Sequence, residues 1–388
     1  MTPYAGLKVL DLSQGVAGPL AAELLARQGA DVIKVEGPEG DWIRRAGTTR
    51  DGFTANLIAG NLGKRSLAID ARDTECRDVL RGIAAGVDVV VENFRPGVMK
   101  RLGLDHASLA PANARLVYCS ISGFGTGGAW VGKPGTDSVL QAYTGMAAVN
   151  ASADGTPRRF PILVPDTVTA IFAAQAIGAA LYERTRTGTG RHLSLSLAEC
   201  CLAFQAAPFM EPMLFPDPGA RLPIFAPAGE FRAADGWTVV TCLDDGMFAR
   251  LSQALGHPEW PADPRFGTDD DRKRHMREIN RLVGDAVATM TAADCLARLE
   301  AADVLCSPVN DYAALGAHPQ MAALGALAEV EQAPFGRIRV PQLPGSREPV
   351  KPAPRTGEHS RALLREAGLD DARIDALVAR GVVKDGAA

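Results

Sequence analysis

Leu7-Lys-Val-Leu-Asp-Leu-Ser-Gln-Gly-Val-Ala-Gly-Pro-Leu-Ala-Ala-Glu-Leu-Leu-Ala-Arg-Gln-Gly-Ala-Asp-Val-Ile-Lys-Val-Glu36 is the stretch that decides the fold class. Leu7 to Leu12 predicts a strand, apolar and carrying β-branched Val9. Gly15 and Gly18 supply a turn, and Pro19 suits the first turn of a helix. Ala21 to Ala26 repeats at helical spacing, Gly29 ends the helix, and Val32 to Val35 resumes a strand. Strand, glycine turn, helix and strand within about thirty residues form the βαβ unit of a nucleotide-binding α/β domain. The helix N-terminus at the strand ends is a ready site for an anionic phosphate.

A dinucleotide is the first ligand to weigh, because Glu36 stands near the distance at which an acidic residue holds a ribose. The turn, however, is Gly15-Val-Ala-Gly18, without the G-x-G-x-x-G spacing that lets backbone approach a pyrophosphate. This disfavours a nicotinamide-dependent enzyme.

At 388 residues the chain is long enough for two domains, and 47% apolar with 22% charged residues is ordinary globular composition. No apolar run reaches the roughly 18 residues of a spanning helix, so no membrane partner is expected. The start, Met1-Thr-Pro-Tyr, has neither a basic nor an apolar leader region, which points to a cytoplasmic protein. A net charge of −4 argues against nucleic acid as a partner. The seven cysteines have no paired spacing and the six histidines no H-x-x-x-H, so reduced thiols are expected, with no disulfide framework and no metal.

Farther along, Thr74 to Ala85 reads as a helix, Val87 to Val91 as a buried strand, and Glu92 to Gly97 as a turn into a short helix ending at Arg101. Leu116 to Ser120 is another strand; Asp137 to Val149 and Thr167 to Arg184 are helical; Arg191 to Leu197 alternates as a strand. Strands alternating with helices imply a parallel sheet with its crevice at the strand carboxyl ends, where the turns at Gly15, Glu92 and Ser122 converge. The proline-rich passage Pro208 to Pro227 marks a boundary. Beyond it, a strand at Gly236–Cys242 and helices around 248–255, 272–290 and 292–301 suggest a smaller domain. From Gly336 the chain is extended, then closes with a helix at 360–367 and a small terminal helix. The expected organisation is a large domain over 1–207, a linker and small domain over 208–325, and a C-terminal segment over 326–388.

Taken in order, several segments resemble the family III coenzyme A transferases, the CaiB/BaiF family. They include Gly29-Ala-Asp-Val-Ile-Lys-Val-Glu, Gly63-Lys-Arg-Ser-Leu-Ala-Ile-Asp70, Glu92-Asn-Phe-Arg-Pro-Gly-Val-Met and Cys119-Ser-Ile-Ser-Gly-Phe-Gly. Pro134-Gly-Thr-Asp-Ser-Val-Leu-Gln-Ala142, Arg184-Thr-Arg-Thr-Gly-Thr-Gly-Arg, Asp263-Pro-Arg-Phe, Cys306-Ser-Pro-Val-Asn and Gly357-Glu-His continue the series over nearly the whole chain. The resemblance implies a large Rossmann-like domain with a smaller α/β domain, a ring-like monomer interlocked in a homodimer, and a C-terminal segment that returns to the large domain. It implies no permanently bound cofactor; coenzyme A and acyl-CoA enter as substrates, with a carboxylic acid as the second partner. CoA-binding positions that match are Val16, Ala17, Ile69, Asp70, Ala71, Arg72, Asn93, Phe94, Arg95, Arg101, Lys133 and Thr136. The family often has arginine near adenine after Glu36, where this chain has Gly37; Arg44, Arg45 and Arg72 are candidate substitutes.

By the same resemblance Asp166, in Pro161-Ile-Leu-Val-Pro-Asp-Thr, is the catalytic carboxylate, and Asp137 is a second acidic residue of the site. An aspartate of ordinary pKa, about 3.9, is ionised at neutral pH and can attack a thioester carbonyl. Without the resemblance, each aspartate reads as a helix N-cap, Lys64 and Arg65 as a solvated turn, Arg101 as a charge at a helix end, Cys119 as sheet packing, and His106 and His192, which have no spaced partner in sequence, as structural residues. A racemase of 2-methylacyl-CoA, a branch of the same family, shares Asp166 but carries histidine where this chain has Thr136. Threonine takes up no proton near neutral pH, which favours CoA transfer. A CoA-dependent lyase on the same scaffold and a nucleotide-binding protein without transferase activity are the remaining alternatives. The segment Ile224 to Arg232 has one glycine where several transferases carry a glycine-rich lid, so no such lid is expected here.

Overall fold

The computed structural model describes residues 2–152 and 154–386. The main sheet contains β1 (Lys8–Asp11), β2 (Asp31–Glu36), β3 (Arg65–Ile69), β4 (Val89–Glu92), β5 (Val117–Ser122) and β6 (Arg191–Ser196). Their spatial order is β3-β2-β1-β4-β5-β6, all parallel, with Val383–Lys384 added antiparallel on the outer side of β3. This is the strand order of doubly wound nucleotide-binding domains.

Alternation along the strands sorts the core into two layers. Val9, Val32, Val89, Val91, Val117, Cys119 and Ile121 face the helices Ala17–Ala26 and Val164–Thr187. Leu10, Ile33, Val35, Leu67, Val90 and Tyr118 face the helices Thr74–Ala85, Ser360–Glu366 and Asp371–Ala379. Val164–Thr187 is long and apolar enough to cross a bilayer, yet Ala170, Ala173, Ile177 and Ala180 along it are packed into the sheet's core layer.

The described chain divides into two compact units, residues 1–206 with 323–388, and residues 207–322. The smaller unit is built on an antiparallel sheet of Ala228–Arg232, Trp237–Thr241 and Leu305–Pro308, packed on helices Asp245–Ala254, Met276–Val287 and Ala292–Ala301. The Ile224–Arg232 segment thus runs into a strand. In the larger unit a hairpin, Leu327–Gln332 with Gly336–Pro341, packs Val330 and Val340 on Phe53, Leu57 and Ile58.

Helix ends differ from the sequence reading in identifiable ways. Gly145, at φ +83°, divides the helix expected over 137–149 into Asp137–Tyr143 and Met146–Val149. The helix expected from Thr167 begins at Val164, with Pro165 at its N-terminus, so Asp166 lies inside the first turn.

Candidate active site

The strand order reverses between β1 and β4, and the chain segments leaving these two strands are tied together there. Asn93 Oδ1 accepts from the backbone N–H of Gln14 at 2.8 Å, and Asn93 Nδ2 donates to the Gln14 carbonyl at 2.6 Å. The next residue, Gly15, has φ +76° and donates its N–H to both carboxylate oxygens of Asp41 at 3.2 and 3.1 Å. A Cβ on Gly15 would lie 2.7 Å from the Trp42 indole, so this turn requires glycine on both grounds.

Beneath the turn lies a buried charge lattice. Lys34 Nζ bonds Asp41 at 3.0 Å, and Lys64 Nζ bonds Asp11 Oδ2 at 2.7 Å, the Pro19 carbonyl at 2.7 Å and Asn61 Oδ1 at 3.1 Å. Lys64 is therefore a buried anchor and no solvated turn residue. Burial pulls its pKa down, against the attraction of Asp11, whose own carboxyl is held low by the two lysines despite burial. Arg44 forks onto both oxygens of Glu36, at 2.8 and 2.6 Å, and Ser66 Oγ donates to Glu36 at 2.9 Å. Glu36 has no capacity left for a ribose, and Arg44 none for adenine.

Two cavities meet at Gln14 and Phe94, which line both. The first, about 330 Å³, brings together Asp166, Asp137, Thr136 and Lys133 with Val16 and Ala17 at the start of the first helix. Asn93, Phe94 and Arg95 of the turn after β4 complete it. The second, about 430 Å³, is lined by Ile69, Asp70, Ala71 and Arg72 beyond β3, by Arg101, and again by Phe94. Every catalytic and matched CoA-binding position read from the sequence thus faces one cavity or the other, whereas Arg44 and Arg45, the other candidate adenine contacts, line neither. Asn93 lines the wall with its amide committed to Gln14. Arg101 sits in the last turn of the helix Val98–Leu102. Gly37 also lines the second cavity, and a Cβ there would meet open space, while the largely exposed Arg72 is held against Asp70 at 2.8 Å.

Neither aspartate is a cap of its own helix. Thr136 is the N-cap residue of Asp137–Tyr143 and makes no capping bond with its side chain; Leu163 is that of Val164–Thr187. Asp137 Oδ2 instead accepts from the backbone N–H of Asp166 at 3.4 Å, across 29 positions of sequence. Asp166 does not have the ordinary acidity expected of it: burial first, and then the Asp137 carboxylate, push it up to about 7. Asp137 is raised too, by burial, against the bond from Gln141. Backbone packing draws the site together, since a Cβ on Gly123 or on Gly135 would lie 3.0 Å from the other's Cα.

Other expectations resolve simply. Cys119 is buried in β5, its thiol pushed up to about 12 by burial. The rings of His106 and His192 stack on each other at 5.1 Å, and His192 Nε2 lies 2.9 Å from Ser120 Oγ. Sequence reasoning missed Asp41, Trp42 and Gln141. Only Gln141 carried a signal, its i+4 spacing from Asp137.

The sequence profile of CoA-transferase family III matches residues 4–360. Succinate–glutarate CoA-transferase of Agrobacterium fabrum is 33% identical over 94% of this chain and 95% of its own length. Acetyl-CoA:oxalate CoA-transferase of Acetobacter aceti is 33% identical over 96% and 97%. The crystal structure of a CaiB/BaiF family protein from Brucella suis superposes with a TM-score of 0.84 at 33% identity, covering 94% of this chain and 99% of that one. With the parallel sheet, the paired cavities and a family match over nearly its full length, the chain belongs to CoA-transferase family III and is an enzyme of that family.

Proposed function

We propose that the protein moves CoA between carboxylic acids through a thioester on Asp166. The observation that carries this reading is the half-buried Asp166 lining one cavity that shares Gln14 and Phe94 with a second cavity, itself lined by Arg72 and Arg101. The nucleotide end of CoA occupies the second cavity, with Arg72 taking the place beside adenine that Gly37 leaves open. The acyl thioester lies in the first.

Asp166 attacks the thioester carbonyl, breaking the C–S bond to give a mixed anhydride and CoA thiolate. The thiolate attacks the aspartyl carbonyl, releasing the donor acid and leaving aspartyl-CoA. The acceptor carboxylate then displaces the thiolate to form a second anhydride. Attack by the thiolate on the acceptor carbonyl yields the new acyl-CoA and restores Asp166. A carboxyl held near 7 is a stronger nucleophile, once ionised, than one at about 3.9. Binding energy from the distant nucleotide helps stabilise the uphill anhydrides. The names of the relatives above point to short dicarboxylic acids as the first acceptors to try, and Lys133 and Arg95 are cations of the reaction cavity that suit them.

The assembly we propose is an interlocked homodimer in the cytoplasm. Its support is the helix Ala206–Leu214, which buries none of its residues within the chain and exposes Phe209, Met213 and Leu214. Light scattering in solution reads the mass directly.

The function is tested by intact-protein mass spectrometry after mixing with acetyl-, succinyl-, glutaryl- and oxalyl-CoA, followed by peptide mapping. A CoA-sized adduct on Asp166, absent from Asp166→Ala, is the expected result; normal CoA transfer by Asp166→Ala overturns it.

A further inference from the structure

Gln141 is 1% exposed on the helix Asp137–Tyr143, one turn beyond Asp137, and all its polar atoms are engaged. Its Nε2 donates to Asp137 Oδ1 at 2.7 Å and reaches the carbonyls of Phe160 and Ile162 at 3.3 and 3.2 Å. Its Oε1 accepts from the Phe160 N–H at 2.8 Å. One side chain therefore clamps Asp137 Oδ1 and the segment that enters the Asp166 helix, while Asp137 Oδ2 faces the Asp166 N–H.

We propose that Gln141 is a positioning residue for the reaction: it fixes the Asp137 carboxyl beside Asp166, so that Asp166 works against a second acid group held in one geometry. The proposal rests on the reading of Asp166 as nucleophile. The chemistry of the clamp demands an amide, because it must donate to a carboxylate and accept from a backbone N–H at once. Glutamate would set a second acid against Asp137, and leucine would leave Asp137 Oδ1 and the Phe160 N–H without a partner.

The charged and titratable groups facing the pair come from several elements. Arg159 opposes the rise at Asp137, and Cys201 of the helix Leu197–Phe204 is pushed up to about 12 by burial, then by its thiol neighbour and these carboxylates. Lys133 and Arg95 line the same cavity. In Gln141→Leu, Asp137 loses its donor and holds its proton to higher pH. Asp166 then meets a neutral neighbour and titrates at lower pH.

The test is a carboxyl-carbon NMR titration of the full-length protein labelled at aspartate, with the Asp166 signal assigned by its loss in Asp166→Asn. The Asp166 midpoint falls by about one pH unit in Asp137→Asn and in the same direction in Gln141→Leu. It falls no further in the double variant. Gln141→Asn, a methylene shorter, gives the same direction should the leucine variant fold poorly. A midpoint unmoved by either Gln141 substitution, or unmoved by Asp137→Asn, overturns the proposal. Because NMR reads the proton on Asp166 and not turnover, a wild type that forms no CoA adduct sinks the proposed function while the titration still decides the role of Gln141.

Discussion

Gln14 and Asn93 are bonded to each other twice, main-chain N–H and carbonyl of one to the side-chain amide of the other, at 2.8 and 2.6 Å. The pair closes the gap between the segments leaving β1 and β4, and Gln14 is one of two residues shared by the cavities. Asn93 thus holds in place a residue that lines both cavities. Asn93→Ala leaves the Gln14 backbone groups unpaired, at a cost of about 1–3 kcal/mol. The apparent KM for acyl-CoA rises about tenfold or more, each tenfold being about 1.4 kcal/mol. Steady-state kinetics with thermal melting checks both.

On the proposed mechanism Asp166, pushed up to about 7 by burial and by Asp137, attacks only when ionised. Formation of the aspartyl-CoA adduct in single-turnover mixing therefore rises through a midpoint near pH 7 and levels off above it. Stability follows the opposite sign. The folded state holds this proton over a pH range in which the unfolded chain has released it, so ionising Asp166 destabilises the fold as pH rises from about 4 toward 7. Asp166→Asn raises the melting temperature by a few degrees at pH 8 and has little effect at pH 4, as calorimetry at the two pH values would show.

Gly15→Ala strains a φ of +76° and drives a methyl against Trp42. The variant loses about 1 kcal/mol or more of stability. Displacement of the turn raises KM for acyl-CoA more than it lowers kcat, because Gly15 borders the cavity without reaching Asp166 through any bond in the structure.

Lys64→Met removes the buried cation that holds Asp11, the Pro19 carbonyl and Asn61. An uncompensated buried carboxylate costs about 3–5 kcal/mol. Urea unfolding would show the loss, and Lys64→Arg would not restore it, since a guanidinium fork does not fit three acceptors arranged around one ammonium.

Thr136 lines the first cavity beside Asp137 and Asp166, and its hydroxyl takes up no proton near neutral pH. Incubation of 2-methylacyl-CoA with the enzyme in deuterated water leaves the α-proton in place by NMR. Exchange at catalytic rates would restore the racemase reading.

Much of the larger unit was legible because its signals are local. The first βαβ unit declares itself by apolar runs and by glycines at its turns. Asp137 and Asp166 were legible through the order of family segments. What remained hidden depends on distant partners. Lys64 looks like a surface residue until Asp11, far away in sequence, is brought beneath it. Strand β3, Arg65-Ser-Leu-Ala-Ile69, has a single β-branched residue to mark it, and its pairing with Val383–Lys384 joins distant parts of the chain. The histidine stack lies across the sheet edge, where no sequence spacing reports it. Acidity is equally nonlocal: Asp166 is raised first by burial, which only the packed fold supplies, and then by the charge of Asp137 on another helix.

The short strand Val383–Lys384 has a consequence for how the protein is made. Asp70, on the wall of the second cavity, donates its N–H to the Val382 carbonyl at 2.8 Å, and Ala68 donates to Ser360 Oγ at 3.1 Å. A chain emerging from the ribosome can pair β1 to β6 early, but until residues near 380 appear, β3 stands as a naked edge open to any other strand. The wall of the second cavity is thus finished by a segment translated long after β3, and a chain interrupted before that segment carries an adhesive sheet edge in its place.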